Sequence, residues 1–217
     1  MKVIDLHNHT GFSFVTKTGK VINMKIIAAT TNKGKIREFQ EILGELGYEV
    51  VSMHDEGIDV EVEETGTTFS ENALIKARAI ALLCNYPVIA DDSGLCVDAM
   101  DGAPGIYSAR FAGEDANDYD RNVKLLETLK DEENRKAQYV AAIAYVTPDG
   151  TELTAEGTVE GEILREEHGT GGFGYDPLFF CTEIGKCFGL ATPDEKNAVS
   201  HRGRALKKLC EMLKEEK

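Results

Sequence analysis

The sequence predicts an α/β fold, and three observations carry that expectation. Apolar runs at 24–29, 48–52 and 88–90 are short and end in small or polar residues, as buried strands do. Between the first two, Ile36, Phe39, Leu43 and Leu46 recur at helical spacing. The resulting order of strand, turn, helix and strand is the usual start of a unit in which helices pack on a sheet.

The remaining elements follow in order. Gly47 closes the first helix, and an acidic loop at 59–64 leads into a helix over 68–84, whose start (Thr68 to Asn72) offers N-cap candidates followed by Glu71. Pro87 restarts the chain into the strand 88–90, which is expected to end in Asp91-Asp92-Ser93-Gly94. A helix over 121–130 precedes a long strand over 137–147. The turn Pro148-Asp149-Gly150 then sends the chain back through Val159 as a hairpin. After the glycine-rich stretch 169–174, a final helix covers 199–214 with Leu206, Leu209 and Leu213 on one face.

Composition narrows the function. The 217 residues suit one large domain or two closely packed lobes, and 42% apolar against 29% charged residues fits an ordinary globular core. No apolar run approaches the roughly 20 residues that span a bilayer. The longest, 140–146, has the length of a strand, and the N-terminus lacks a signal-peptide pattern, so a cytoplasmic location is expected. Five widely spaced cysteines without a C-x-x-C pair read as free, mostly buried thiols, not as disulfides or a zinc site. A net charge of −14 argues against binding a nucleic-acid polymer. A small anionic substrate would need local bases and a divalent cation.

Residues 1–23 stand apart, because Met24 begins a strand that needs nothing before it. Asp5-Leu6-His7-Asn8-His9-Thr10 resembles the opening metal motif of polymerase-and-histidinol-phosphatase-type phosphoesterases. Such sites need further histidines, and His54, His168 and His201 stand in no supporting pattern. The segment 1–23 is therefore read as an extension and 24–217 as the working domain.

Five clusters carry candidate chemistry. Thr30, Thr31, Asn32, Lys33, Gly34 and Lys35 lie between a strand and a helix, where backbone N–H groups and a lysine can cradle phosphate. Asp91 and Asp92 are adjacent carboxylates that repel each other unless a cation or base sits nearby; magnesium suits such oxygen ligands, and a capped turn suits the same residues. Glu63 and Glu64 precede a helix on which Lys76 lies one turn beyond Asn72. The glycines of 169–174 surround Phe173 beside Tyr175, a backbone shaped to let a planar ligand stack or simply a flexible turn. Ser200-His201-Arg202 places donors at the start of the final helix.

Together these motifs resemble the inosine/xanthosine triphosphate pyrophosphatases, which remove deaminated purine nucleotides from the nucleotide pool. The resemblance runs from Met24 to about Leu213. It covers T-x-N-x-x-K at 30–35, E-E-T-G-x-T-F-x-E-N-A at 63–73, A-D-D-S-G-L at 90–95, G-A-P-G-I-Y-S-A-R at 102–110, G-T-G-G-F-G-Y-D-P at 169–177 and S-H-R at 200–202. It implies an elongated, strongly twisted mixed sheet with flanking helices, two lobes and a central cleft, in a homodimer. It also implies a nucleoside triphosphate substrate cut to a monophosphate and pyrophosphate with Mg2+. On this chain, residues 30–35 would grip the triphosphate, with Lys76 adding charge. Glu63 and Asp92 would hold the metal, with Glu64 the near alternative. Asp92 would accept the proton and Ser93 would contact substrate, while Phe173, Gly174, Tyr175, Asp176, Lys196, His201 and Arg202 would line the nucleobase side. Competing expectations are a pyrophosphatase with another base preference and a nucleotide-binding module without catalysis.

Overall fold

The computed structural model describes residues 13–15 and 21–215. The strand β1 (Ser13–Val15) pairs antiparallel with β2 (Val21–Ala28), so the first long strand begins at Val21, three residues before Met24. His7 and His9 lie outside the described residues.

From β2 the chain enters α1 (Lys33–Glu45), then β3 (Tyr48–Ser52), which returns parallel to β2. Gly47 at φ +81° supplies the left-handed residue that ends α1. The helix α2 (Phe69–Ala81) starts with a reciprocal capping box between Thr68 and Glu71, as the sequence indicated, but stops at Ala81. Leu82 and Leu83 lie past its end with their side chains exposed.

The largest departure from the sequence reading is β4 (Val88–Val97). Asp91 to Gly94 lie within this strand rather than beyond its end. Only Val88 and Ile89 pair with β2, in parallel, while β5 (Lys136–Val146) covers all of β4 antiparallel from Val88 to Val97. Where β2 stops at Ala28, one edge of β4 is left open, and the site gathers there. A Cβ on Gly94 would come within 2.2 Å of the Gly105 carbonyl, so only glycine lets the turn Gly105–Arg110 lie flat against β4.

The helix α3 (Asp118–Thr128) starts three residues earlier than expected, and β6 (Glu152–Ile163) runs past Val159 to pair with β7 (Phe179–Cys181). β8 (Lys186–Cys187) closes that edge. The expected final helix over 199–214 forms as His201–Glu215, and a short helix that the sequence reading did not include precedes it. α4 (Pro193–Val199) ends at Ser200, whose extended backbone (ψ 156°) separates it from α5 (His201–Glu215). Ser200 Oγ accepts the Gly203 N–H at 3.1 Å, the bond that caps α5.

The mixed sheet runs in the order β1-β2-β4-β5-β6-β7-β8, with β3 against β2. Strand alternation splits its side chains between two layers. Ile26, Ile89, Ile143 and Tyr145 pack under Phe39 and Leu43 of α1 and Leu206 and Leu209 of α5. Ile27, Val88, Ala142 and Ala144 pack under Ala73, Ala77 and Ile80 of α2. A third cluster, with Leu95, Tyr139, Val159, Phe179 and Phe188, fills the other end of the sheet and forms the second lobe. Leu43 is fully buried, so Leu43→Ala costs about 2–5 kcal/mol.

Candidate active site

A cleft of about 510 Å³ lies between the lobes. Thr30, Thr31, Asn32, Lys35, Glu64, Lys76, Ser93, Phe173, Gly174, Tyr175, Asp176, Lys196, His201 and Arg202 all line it. Residues as far apart in the chain as Thr30 and Arg202 therefore line one cleft. Lys33, Gly34, Glu63 and Asp92 are not among the lining residues; Glu63 faces solvent, Glu64 is half-buried, and Asp92 is buried with Oδ1 3.7 Å from Nζ of the lining Lys76.

Successive residues of a strand point to opposite faces, and Asp91 and Asp92 therefore serve different sides. Asp91 faces α1 and α5. It is fully buried, takes Arg202 Nε and Nη2 at 3.0 and 3.2 Å, and lies 2.5 Å from Lys35 Nζ. Burial alone would push its carboxyl up, but the Arg202 and Lys35 charges outweigh it and hold the group well below the usual carboxylate range. Asp92 faces α2, where Asn72 Nδ2 donates to Oδ2 at 3.1 Å and Lys76 Nζ lies 3.7 Å from Oδ1. Here burial wins and raises the carboxyl above its ordinary value, with Lys76 and Lys35 opposing. The repulsion expected between these neighbours is thus relieved by cations on both faces, with Lys35 acting on both carboxylates.

Two lysines meet at the open edge of β4. Lys76 Nζ donates to the Asp91 carbonyl at 2.8 Å, and Lys35 Nζ reaches the same oxygen at 3.4 Å. That carbonyl has lost its strand partner because β2 ends at Ala28. Lys76 also pairs with Glu64 at 2.5 Å, which brings Glu64 and Asp92 to one ammonium.

At the start of α1 the structure modifies the expected phosphate cradle. Asn32 Oδ1 already accepts the N–H groups of Gly34 and Lys35, at 2.9 and 3.1 Å. Two of the amides expected to cradle phosphate are thus engaged within the turn, and the side chains of Thr30, Thr31, Asn32 and Lys35 face the cleft. Gly34 lies behind the turn, against the Phe173 ring; a Cβ there would sit 2.5 Å from a ring carbon.

On the α5 side of β4, Arg202 does not present a free guanidinium to a base. Four of its five N–H donors are engaged, by both oxygens of Asp91, by Ser93 Oγ at 2.9 Å and by Glu38. Lys196 joins the same network, 2.9 Å from Glu38 and 2.6 Å from Asp176, with Nζ 4.7 Å from the Phe173 ring centroid. Burial opposes charge on Lys196, but Asp176 and Glu38 hold the ammonium protonated beyond its ordinary range. His201 is buried and stacked on Tyr139 at 4.7 Å, and burial, aided by Arg202, keeps it neutral. Its Nδ1 has no hydrogen-bond partner among the described residues.

Glu38 was not legible as a site residue. It is 4% exposed, and although burial would raise its carboxyl, Arg202 and Lys196 bring it down to about 2. Its one sequence signal was a charge beside Phe39, on the face of α1 that turns inward. Asn72 was another omission: it bridges the Gly66 N–H and Asp92 and so fixes the carboxylate's rotamer.

All five cysteines are free, with Cys181, Cys187 and Cys210 buried and Cys84 and Cys96 half-buried. Among the described residues no helix is long and apolar enough to cross a membrane.

Comparison with known proteins agrees with the motifs. Residues 26–212 match the model of the Ham1 family. A dITP/XTP pyrophosphatase of Exiguobacterium sibiricum is 53% identical over 188 residues, covering 86% of this chain and 95% of that protein. The dITP/XTP pyrophosphatase of Escherichia coli K12 is 49% identical over 194 residues, covering 88% and 98%. Among solved structures, the Staphylococcus aureus Ham1 protein superposes with a TM-score of 0.78 at 42% identity, covering 89% of this chain and all of that one. With the mixed sheet, the cleft and the motif residues gathered in it, this chain belongs to the Ham1 family.

Proposed function

We propose that this protein hydrolyses deaminated purine nucleoside triphosphates, those of inosine, deoxyinosine and xanthosine, to the monophosphate and pyrophosphate. One observation carries the reading: Lys35 and Lys76, from helices on opposite faces of the sheet, converge at the open edge of β4 beside Asp92 and Glu64. Two ammonium groups suit a polyphosphate, and carboxylates beside them suit a cation and a proton acceptor. The names of the relatives point to the same substrates.

The donor set fits Mg2+. Glu64 and Asp92 offer hard oxygens around one point, and among the described residues no cluster of three His, Cys, Asp or Glu side chains forms an all-protein cage. Magnesium is commonly held in this way, by one or two carboxylates with substrate phosphates completing its shell. Glu64, not the solvent-facing Glu63, takes this role together with Asp92. When bound, the ion would neutralise phosphate oxygens and acidify a water.

The protein's own residues do the rest. Thr30, Thr31, Asn32 and Lys35 hold the phosphates. Asp92, its rotamer fixed by Asn72, accepts a proton from the water that attacks the phosphorus nearest the sugar. Lys35 and Lys76 offset charge on the departing pyrophosphate. Phe173 offers a ring to the base at the other end, beside Lys196. A homodimer and a cytoplasmic location accompany this reading.

The test is pyrophosphate release from inosine, xanthosine, adenosine and guanosine triphosphates, with and without Mg2+. Preference for the first two, lost on chelation, is expected. Equal rates on all four, or full activity in chelator, would sink the reading. A panel extended to modified pyrimidine nucleotides separates it from a related pyrophosphatase of other base choice.

A further inference from the structure

The loop that carries Phe173 is held from outside as well as from within. Gly172 and Gly174 have φ of +73° and +63°, a backbone that only glycine adopts without strain, so internal stiffness does not fix the loop. Two carboxylates do. Asp176 accepts the Phe173 N–H at 2.8 Å from within the same turn. Asp118, on α3 and 56 residues away, accepts the Gly174 N–H, also at 2.8 Å.

Asp118 is not needed to start its helix. Asn117 and Asp120 already form the reciprocal cap of α3, at 3.0 and 3.1 Å. Its free oxygen instead meets Arg121, whose guanidinium reaches the carbonyls of Ala109 (2.9 Å) and Ala116. The Gly174 amide is thereby tied through Asp118 and Arg121 to the segment that backs onto β4. Tyr175 makes a second tie to the same segment, its hydroxyl donating to the Ser108 carbonyl at 2.8 Å.

We propose that Asp118 is a positioning residue for the base end of the cleft: by holding the Gly174 amide it sets the pose of the Phe173 ring on which the base rests. This rests on the pyrophosphatase reading above, in which Phe173 meets the base. Asp118 touches neither the lysines nor the carboxylates of the phosphate end, so its effect falls chiefly on base binding, although the Phe173 ring it poses also packs against Gly34. Because a ring face binds every base, the effect is uniform across purines.

The experiment compares Asp118→Ala and Asp118→Asn with the wild type. Asp118→Ala removes the acceptor and is expected to raise KM for inosine and guanosine triphosphates alike by about tenfold, with kcat within about twofold. Asp118→Asn keeps an acceptor oxygen for Gly174 and is expected to recover most of the lost affinity. Competitive inhibition by pyrophosphate, which has no base, should be unchanged in both variants. Hydrogen exchange should quicken at 169–176 in Asp118→Ala without change in the sheet.

Equal weakening of pyrophosphate and nucleotide binding, no rescue by asparagine, or global acceleration of exchange would each overturn the proposal. Should the wild type turn over no nucleoside triphosphate, the functional reading fails. Dissociation constants of inosine monophosphate and of pyrophosphate in the three proteins then decide the Asp118 question without turnover. Loss of the first affinity alone supports it, and an unchanged or parallel response overturns it.

Discussion

Arg202 grips Asp91 with two near-parallel hydrogen bonds, Nε to Oδ2 at 3.0 Å and Nη2 to Oδ1 at 3.2 Å, in a place where both side chains are almost wholly buried. The sequence suggested a free donor for a base. The structure instead makes Arg202 the counter-charge for Asp91 and Glu38.

That placement predicts a large stability effect. Arg202→Ala leaves two buried carboxylates without their main partner and should cost about 3–5 kcal/mol in urea unfolding. Arg202→Lys keeps the charge but not the planar fork and should fall between. A variant as stable as wild type would show that the network contributes nothing to folding.

Acid sensitivity follows from Glu38. Its folded carboxyl lies at about 2 against an ordinary 4.5. A depressed carboxylate stabilises the fold above its unfolded value and loses that contribution as pH falls through its folded one. Between pH 4.5 and 2 about 3 kcal/mol should therefore disappear from this group, and the depressed Asp91 adds to the loss in the same direction. Glu38→Gln should start less stable at pH 7 and lose less between pH 5 and 3. An unfolding midpoint that falls equally in both proteins would refute the assignment to Glu38.

The two glutamates ahead of α2 separate the metal roles. Glu64→Gln should lower kcat/KM strongly and raise the Mg2+ concentration for half activity, whereas Glu63→Gln, at a solvent-facing position, should do little. Asp92→Asn should lower kcat by about 10²–10⁴-fold while the unfolding free energy stays within about 1 kcal/mol of wild type. The reverse ranking of the two glutamates in a Mg2+ titration would return the role to Glu63.

How much of this was legible depended on range. The strands β2, β3, β5 and β6 and the helices α1, α2 and α3 were readable because their signals are local: short apolar runs, the Thr68–Glu71 cap, the Pro148–Gly150 turn. The short helix α4 was missed although it had a local signal, since Thr192 and Glu195 form its capping box with Pro193 in its first turn. Asp91 and Asp92 read as a pair at a strand end because the strand's length is set by β5, a partner that the residues around 91 do not announce. Glu38 finds Lys196 and Arg202 at separations of 158 and 164 residues, and no local pattern specifies such a contact.

The boundary of the working domain can be tested directly. β2 begins at Val21, yet the residues from Met24 to Ala28 make all of its pairs with β3 and β4. A chain that starts at Met24 loses the pairing with β1 and should keep kcat/KM within about twofold and its thermal midpoint within a few degrees. Loss of folding or turnover would place residues 1–23 inside the functional unit.

Base choice and phosphate handling should separate along the cleft. Lys35 lies 2.5 Å from Asp91, while the Phe173 ring lies 4.7 Å from Lys196 Nζ and packs against Gly34. Stacking is worth about 1–3 kcal/mol per base and hardly depends on which base stacks. Phe173→Ala should therefore weaken inosine, guanosine and adenosine triphosphates by similar factors. Lys35→Ala should depress all three alike, because every triphosphate presents the same oxygens. With Arg202 engaged by Asp91, Ser93 and Glu38, His201 is the better candidate to tell a keto oxygen from an amino group. It is neutral, oriented by Tyr139 and lines the cleft, so one ring N–H can meet the keto oxygen and is left facing another donor when adenine enters. His201→Ala should narrow the ratio of inosine to adenosine triphosphate in kcat/KM, chiefly by losing the former. The measurement is kcat/KM for three nucleotides in three variants. If Lys35→Ala moves that ratio more than His201→Ala does, discrimination does not reside at the base end and the assignment of His201 is wrong.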